Sequence, residues 1–356
     1  MKKKPDNRNQ KKKNNLIRAG FLLLLAVSIY LAESILSIKS DHGVNQQQGL
    51  YWQPKNTVDV AMMGTSHVHC NINTALLWEK YGIAAYDYSG AEQPLWMTYH
   101  FLKELYKYQD PKVVVLDLFA PARFKEDYQY DWISENIYGM RFSLNKLQML
   151  AVSVEPQKLH EYFPSFAVYH GRYGELEADD FQNFFWNSRE KESFKGFTPY
   201  WKREPQKRPE ISTESMDTSG DGMKGLTEKS EKYLRKIIAF MKNKEGKLVL
   251  IAAPYIMSGE DQMVYGRMAE IAAQEGIIFI NYNEYYQEIG LDFEQDFNDA
   301  SHLNYWGSCK FTDYLGSFLA SDDSIPDRRG QEGYASWEDN VQAVREQLAS
   351  WGDSGN

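Results

Sequence analysis

Two hydrophobic regimes divide the chain. Residues 19–38 are almost uniformly apolar, with Glu33 as the one carboxylate, and their twenty residues match the length a helix needs to cross a bilayer. Further along, short apolar runs alternate with amphipathic stretches. Residues 58–63, 84–88, 112–118, 247–253 and 277–280 read as strands, and residues 74–81, 95–108, 226–243, 263–275 and a stretch ending near 319 read as helices. The run at 112–118 is nearly continuous in its apolar character, as suits a parallel strand covered on both faces. This alternation predicts an α/β fold, a three-layer doubly wound sandwich around a mostly parallel five-stranded sheet. Chemistry in such sheets sits in the loops after the carboxyl ends of the strands.

The alternation is interrupted once, over residues 121–222. Nineteen of the residues between 121 and 210 are Phe, Trp or Tyr, a density above the 14% of the whole chain. Rings in that number either fill the core of a small subdomain or form a lid that stacks on sugars. The insertion ends in a polar loop over residues 212–222. The expected segmentation is a basic tail 1–18, a spanning segment 19–38, a linker 39–56, an α/β domain 57–320 holding the insertion 121–222, and a polar tail 321–356 with a polar helix over 337–351.

Charge sharpens the picture of the N-terminus. Of the net charge of −9, residues 1–18 contribute eight Lys or Arg against one Asp, which leaves the rest of the chain at −16. A body that acidic is a poor partner for nucleic acid. The basic flank keeps that side in the cytoplasm and predicts that residues beyond about 40 lie outside, as a single-pass signal anchor would place them. The alternative is a cleaved signal, for which Ala32-Glu33-Ser34 is the one candidate site. Two cysteines, Cys70 and Cys309, are too few for a disulfide scaffold, but they could form one bridge; buried free thiols are the alternative.

Candidate chemistry lies in two short motifs. Gly64-Thr65-Ser66-His67 sits where the first strand ends and a helix is due to begin, so the Ser66 hydroxyl would project above the sheet near backbone N–H groups. Such a turn is also a common strand exit. Far along, Asp299-Ala300-Ser301-His302 follows the last strand and returns to the same edge of the sheet. Asp299 there could orient the His302 imidazole, whose other nitrogen would take a proton from Ser66 and so activate a hydroxyl that is otherwise a poor nucleophile. A capping Asp299 and a packed His302 account for the same motif. His67 and His69 with Cys70 lack a second cluster at ligand spacing, and the reading assigns no metal and no cofactor.

Taken together, the Gly-x-Ser exit after the first strand, the glycine Gly90 after the second and Asp-x-x-His after the last resemble the SGNH or GDSL hydrolase superfamily over about residues 57–320. With the basic tail, the single apolar segment and Asp-Ala-Ser-His-Leu-Asn, the chain resembles the anchored extracytoplasmic SGNH-like proteins of Gram-positive bacteria. These include relatives of the D-alanyl-teichoic-acid biosynthesis protein and of polysaccharide O-acetylation proteins. The resemblance implies Ser66 as nucleophile, His302 as base, Asp299 as its orienter, and an oxyanion hole from the Ser66 and Gly90 amides. It also implies a cell-envelope glycan or teichoic acid as substrate and a membrane-bound O-acyltransferase as partner. The family's third block places Gly-x-Asn after the third strand, where this chain has Asp117-Leu118-Phe119-Ala120-Pro121-Ala122-Arg123. Either another group such as Gln93 or Arg123 replaces the missing donor, or free hydrolytic activity is low. In the insertion, His170 and Arg172 flank Gly171 between aromatics and suit a sugar or an anionic group; an exposed structural turn is the alternative. The expected activity is serine-dependent acyl-ester transfer or hydrolysis, with a catalytically silent scaffold as the rival.

Overall fold

The computed structural model describes residues 7–36, 40–163, 170–174, 176, 180–181, 194–210 and 225–353. Residues 1–38 and 157–187 form one compact unit, and residues 39–156 and 188–356 form a second. The first unit contains α1 (Asn7–Leu36). Its stretch Gln10–Ala32 is long and apolar enough to cross a membrane, and none of the residues in its most apolar window is buried. Polar positions before residue 19 continue the same helix, because Lys, Arg and Gln are good helix formers.

The second unit is an α/β body. Its strands β1 (Val60–Met63), β2 (Ala85–Asp87), β3 (Val113–Asp117), β4 (Lys247–Ala252) and β5 (Ile278–Asn281) are all parallel, in the order β2-β1-β3-β4-β5. The winding therefore reverses between β1 and β3 and opens a crevice above their carboxyl ends. In register, Met62 lies between Asp87 and Val115, and Asp117 lies beside Ile251. Alternate strand residues Val60, Met62, Val113, Val115, Val249 and Ile251 share one core with Leu77, Phe311, Leu315 and Leu319. The intervening Ala61, Met63, Val114, Leu116, Leu248 and Leu250 are buried as well, as the two-residue period of a doubly covered sheet demands. Each large aliphatic side chain so buried stabilises the fold by about 1.5–3 kcal/mol.

The helices that bear on the site are α2 (Val44–Leu50), α3 (Ser66–His69), α4 (Thr74–Tyr81), α5 (Leu95–Tyr108), α6 (Phe119–Arg123), α7 (Ile133–Tyr138), α8 (Leu144–Ser153), α9 (Glu228–Met241), α10 (Gly259–Glu275), α11 (Tyr305–Ala320) and α12 (Ala335–Asp353). α4 packs with α11 and α12, and α5 packs with α8 and α9. Local chemistry sets the ends. Asn73 caps α4 by accepting from Leu76 N at 3.2 Å, and Ser258 and Asp261 form a reciprocal capping box at the start of α10.

Three expectations about segmentation change. Residues 39–56 do not form a free linker: α2 is buried through its amides, with Gln46 Nε2 donating to Gly196 O at 3.1 Å and Gln47 Nε2 to Glu135 O at 2.6 Å. The end of the chain is no free tail either, since Trp337 of α12 is fully buried and its indole N–H donates to Ala85 O at 3.2 Å. The insertion is not self-contained, because residues 194–210 belong to the α/β body. There Asp87 N donates to Lys195 O at 2.9 Å, Thr198 N to His69 O at 2.6 Å and Tyr305 N to Tyr200 O at 2.7 Å. The polar loop 212–222 lies outside the described residues.

Candidate active site

β1 ends at Gly64, whose φ of +143° favours glycine, and an added Cβ would stand 3.0 Å from Asp117 Cβ and 3.2 Å from Val68 Cγ2. The chain then turns through Thr65, whose Oγ1 accepts the His67 amide at 3.2 Å, into the single turn of α3. Asp117 supports this turn from β3. Its carboxylate accepts from Phe119 N at 3.1 Å and Ala253 N at 3.0 Å. Burial pushes its pKa up to about 7 against those hydrogen bonds and one from the Thr65 hydroxyl.

Ser66 opens α3 with 9% of its surface exposed, and its Oγ lies 2.8 Å from His302 Nε2. The imidazole Nδ1 lies 3.0 and 3.1 Å from the two carboxylate oxygens of Asp299. Only a proton on Nδ1 satisfies that carboxylate, so the network assigns Nε2 as the acceptor of the serine proton. Asp299 is itself fixed by Ser301 N at 2.8 Å, His302 N at 3.0 Å and Asn298 Nδ2 at 2.8 Å. Burial alone would raise its pKa. The hydrogen bond and charge of His302, with those from Asn298 and Ser301, outweigh that and hold it well below the usual carboxylate range.

Asn71, one turn beyond Ser66, clasps the two halves: its Oδ1 accepts from Leu303 N at 3.0 Å and its Nδ2 donates to Pro254 O at 3.4 Å. Ile256 N adds a 2.9 Å bond to Ala300 O, and Asn304 caps α11 by accepting from Trp306 N and Gly307 N, both at 3.1 Å. The loop carrying Asp299 and His302 is thus tied to the exits of β1 and β4.

The oxyanion side differs from expectation. Among the described residues the Ser66 amide has no acceptor. The Gly90 amide donates to Gly64 O at 3.3 Å and is committed to the turn. Gly90 instead makes room for Asn136, whose Oδ1 would be 2.2 Å from a Cβ there. Gln93 is fully buried and its amide is spent on Asn136 at 2.9 Å and Thr98 at 2.9 Å. Arg123 at the end of α6 remains: half-exposed, it has one loose ion pair to Asp261 at 3.9 Å, and its charge reaches His67.

Aromatic groups close around the base. His67 is fully buried and stacks on Phe119 with centroids 3.6 Å apart; neither ring nitrogen has a partner among the described residues, and burial keeps it neutral. Tyr200 stands edge-on to His302 at 5.4 Å. Trp132, at φ +56° and 44% exposed, stands edge-on to His42 at 5.5 Å. His42 Nδ1 in turn lies 3.3 Å from His69 Nε2.

Cys70 and Cys309 are both free thiols, which corrects the candidate bridge. Cys70 is engaged by the Tyr200 hydroxyl, and Cys309 accepts from Asn73 Nδ2 at 3.7 Å. Arg172 belongs to the first unit and spends its guanidinium on Leu36 O at 2.8 Å and Asp180 at 3.5 Å. The His170 side chain lies outside the described residues.

No family model, no curated protein and no solved structure matches this chain. The geometry brings Ser66, His302 and Asp299 together and keeps Arg123 within electrostatic reach of His67. Sequence reasoning missed Asn71, Asp117, His42, Trp132 and Tyr200. The first two carried a signal, a polar residue just past a motif or at the end of an apolar strand; the others lie in segments whose folding back no local pattern announces.

Proposed function

We propose that the chain is a serine-dependent acyl-transfer protein, held at a membrane by α1 with the α/β body on the extracytoplasmic side. The observation that carries the reading is the unbroken line from Ser66 Oγ through His302 to Asp299. In the reaction Ser66 Oγ attacks an ester carbonyl while its proton passes to His302 Nε2. Asp299 stabilises the imidazolium without taking its proton. Collapse expels the alcohol, which His302 protonates, and leaves an acyl-serine. A sugar hydroxyl or water, deprotonated by His302, then attacks the acyl carbon and restores Ser66. The free Ser66 amide and the Arg123 cation are the donors available to the developing oxyanion. A glycan or teichoic-acid substrate, and a membrane O-acyltransferase as donor, rest on the sequence resemblance, and the basic flank of α1 supports the orientation.

A second reading has its own observation. With the Gly90 amide committed to Gly64 O and no Asn after β3, the oxyanion is poorly served, and one such donor is worth about 2.7–4 kcal/mol of barrier. A scaffold that binds glycan and acyltransferase without turning over fits that shortage. A fluorophosphonate probe on the full chain in detergent separates them: stoichiometric labelling at Ser66 supports acyl transfer, and inert Ser66 in folded protein supports the scaffold. Mass spectrometry of envelope glycans from cells with and without the gene then identifies the acyl group.

A further inference from the structure

Beside the triad lies a second cluster that uses none of its members. His42, His69 and Cys70 each offer a donor atom, and the three donors lie within 4.8 Å of one another. His69 and Cys70 come from the turn that follows Ser66, while His42 is carried in by the buried segment leading to α2. We propose that these residues form a binding site for a borderline-soft divalent cation of the zinc class, with two imidazole nitrogens and one thiolate as ligands.

His69 Nδ1 is 2.9 Å from Ser89 Oγ, and a proton placed there leaves Nε2 as a bare lone pair aimed at His42 Nδ1, 3.3 Å away. With the His42 proton on Nδ1 the contact is an N–H···N hydrogen bond, and with it on Nε2 two lone pairs face each other across a gap that a cation between them would fill. Tetrahedral zinc holds its nitrogens at about 2.0–2.1 Å, which puts two of them roughly 3.3–3.4 Å apart. The pair is thus already spaced as two ligands of one metal. The third donor is Cys70 Sγ: burial pushes its thiol up and the Tyr200 hydroxyl opposes that, so a bound cation would have to supply the charge that a buried thiolate needs. Ser89 is the outer partner that fixes ring orientation in metal-binding histidines. Solvent or the Tyr200 hydroxyl would complete a tetrahedron, and Cys70 gives up its proton to the medium on binding. Spacing along the sequence could not show this, since His42 is 27 residues from His69.

The test is spectroscopic and independent of ester chemistry. Purified full chain in detergent micelles, stripped with chelator and kept reduced, is titrated with Co²⁺. The expected result is one equivalent bound with an intense thiolate-to-cobalt charge-transfer band in the near ultraviolet, bleached by stoichiometric Zn²⁺. The band should persist in Cys309→Ser and in Ser66→Ala, vanish in Cys70→Ser, and lose affinity about 10–100-fold in Ser89→Ala. His42→Gln, at a half-buried position, should lose the band while keeping the wild-type thermal transition, which guards against misfolding of the Cys70 variant. Wild-type protein without a thiolate band, or a band that survives Cys70→Ser or His42→Gln, overturns the proposal. Loss of serine labelling with the cobalt band intact would sink the acyl-transfer reading and leave this site standing.

Discussion

The two ends of the sheet hold opposite kinds of space. At the amino ends of β3, β4 and β5 lies a cavity of about 980 Å³ lined by Val113, Lys247, Ile278, Met241, Phe318 and Asp322 among others. Two of its lysines are held in solvent-facing pairs, Lys247 with Asp322 at 2.7 Å and Lys242 with Glu275 at 2.6 Å. At the carboxyl ends a serine hydroxyl, an imidazole and a carboxylate stand in one hydrogen-bonded line, Ser66 to His302 to Asp299. Strand exits converge their first side chains on one crevice, whereas the strand starts here are met by helix ends and lysines. Volume alone is therefore a poor guide in this molecule, and an ordered line of unlike polar groups is the better one.

That contrast can be broken by substitution. The largest effect belongs to the carboxyl end: Ser66→Ala should abolish fluorophosphonate labelling, and His302→Ala should slow it by about 10⁴-fold or more, with Asp299→Asn less severe by roughly a hundredfold. Full labelling in His302→Ala would mean that the line does not act as a unit. Next, Gly64→Ala should cost more than about 1 kcal/mol in denaturant unfolding and slow labelling too, because the turn and Asp117 must both shift. Asn71→Ala should cost about 1–3 kcal/mol by leaving the Leu303 amide buried without an acceptor.

A smaller effect comes from Asp117, whose pKa is raised from 3.8 to about 7 in the folded state. The folded protein then binds more protons than the unfolded one between those values, so this group's contribution makes stability fall as pH rises from about 4 to 7 and level off above. Tm measured across that range should fall less steeply in Asp117→Asn, although that variant is less stable throughout because one backbone donor loses its acceptor. The smallest effect belongs to the amino end. Lys247→Ala should change stability by no more than about 1 kcal/mol and leave labelling of Ser66 unchanged; a loss of labelling there would erase the distinction between the ends.

Much of this was legible because the signals were local. The five strands appear where continuous apolar runs predict them, and residues 74–81 and 95–108 form helices with the expected bounds. Ser66 was readable because it follows β1 within a few residues, and Asp299 and His302 because their motif comes after the last strand and its short helix, so topology returns all three to one edge. The neighbourhood of His42 was not. Its segment is rich in Gln, and a hydropathy pattern reads such residues as solvated. Gln46 and Gln47 are buried because their amides are paired with residues 150 and 88 positions away. The Gly90 amide failed for a similar reason: the residue type was right for a donor, but only the three-dimensional turn reveals that Gly64 O already holds it.

The docking of α12 has a consequence for how this protein lives among copies of itself. β2 is the outer strand beyond β1, and an outer strand normally offers a row of open peptide groups on which another chain can add itself. Here the Trp337 indole occupies Ala85 O, and Lys195 O takes Asp87 N, so that row is closed by the chain's own distant parts. At the opposite border, β5, Ile278 is 53% exposed among the described residues. The β2 border is thus closed by the chain's own distant parts, and a protein trimmed ahead of residue 335 would reopen Ala85 O and uncover Trp78, which should favour self-association.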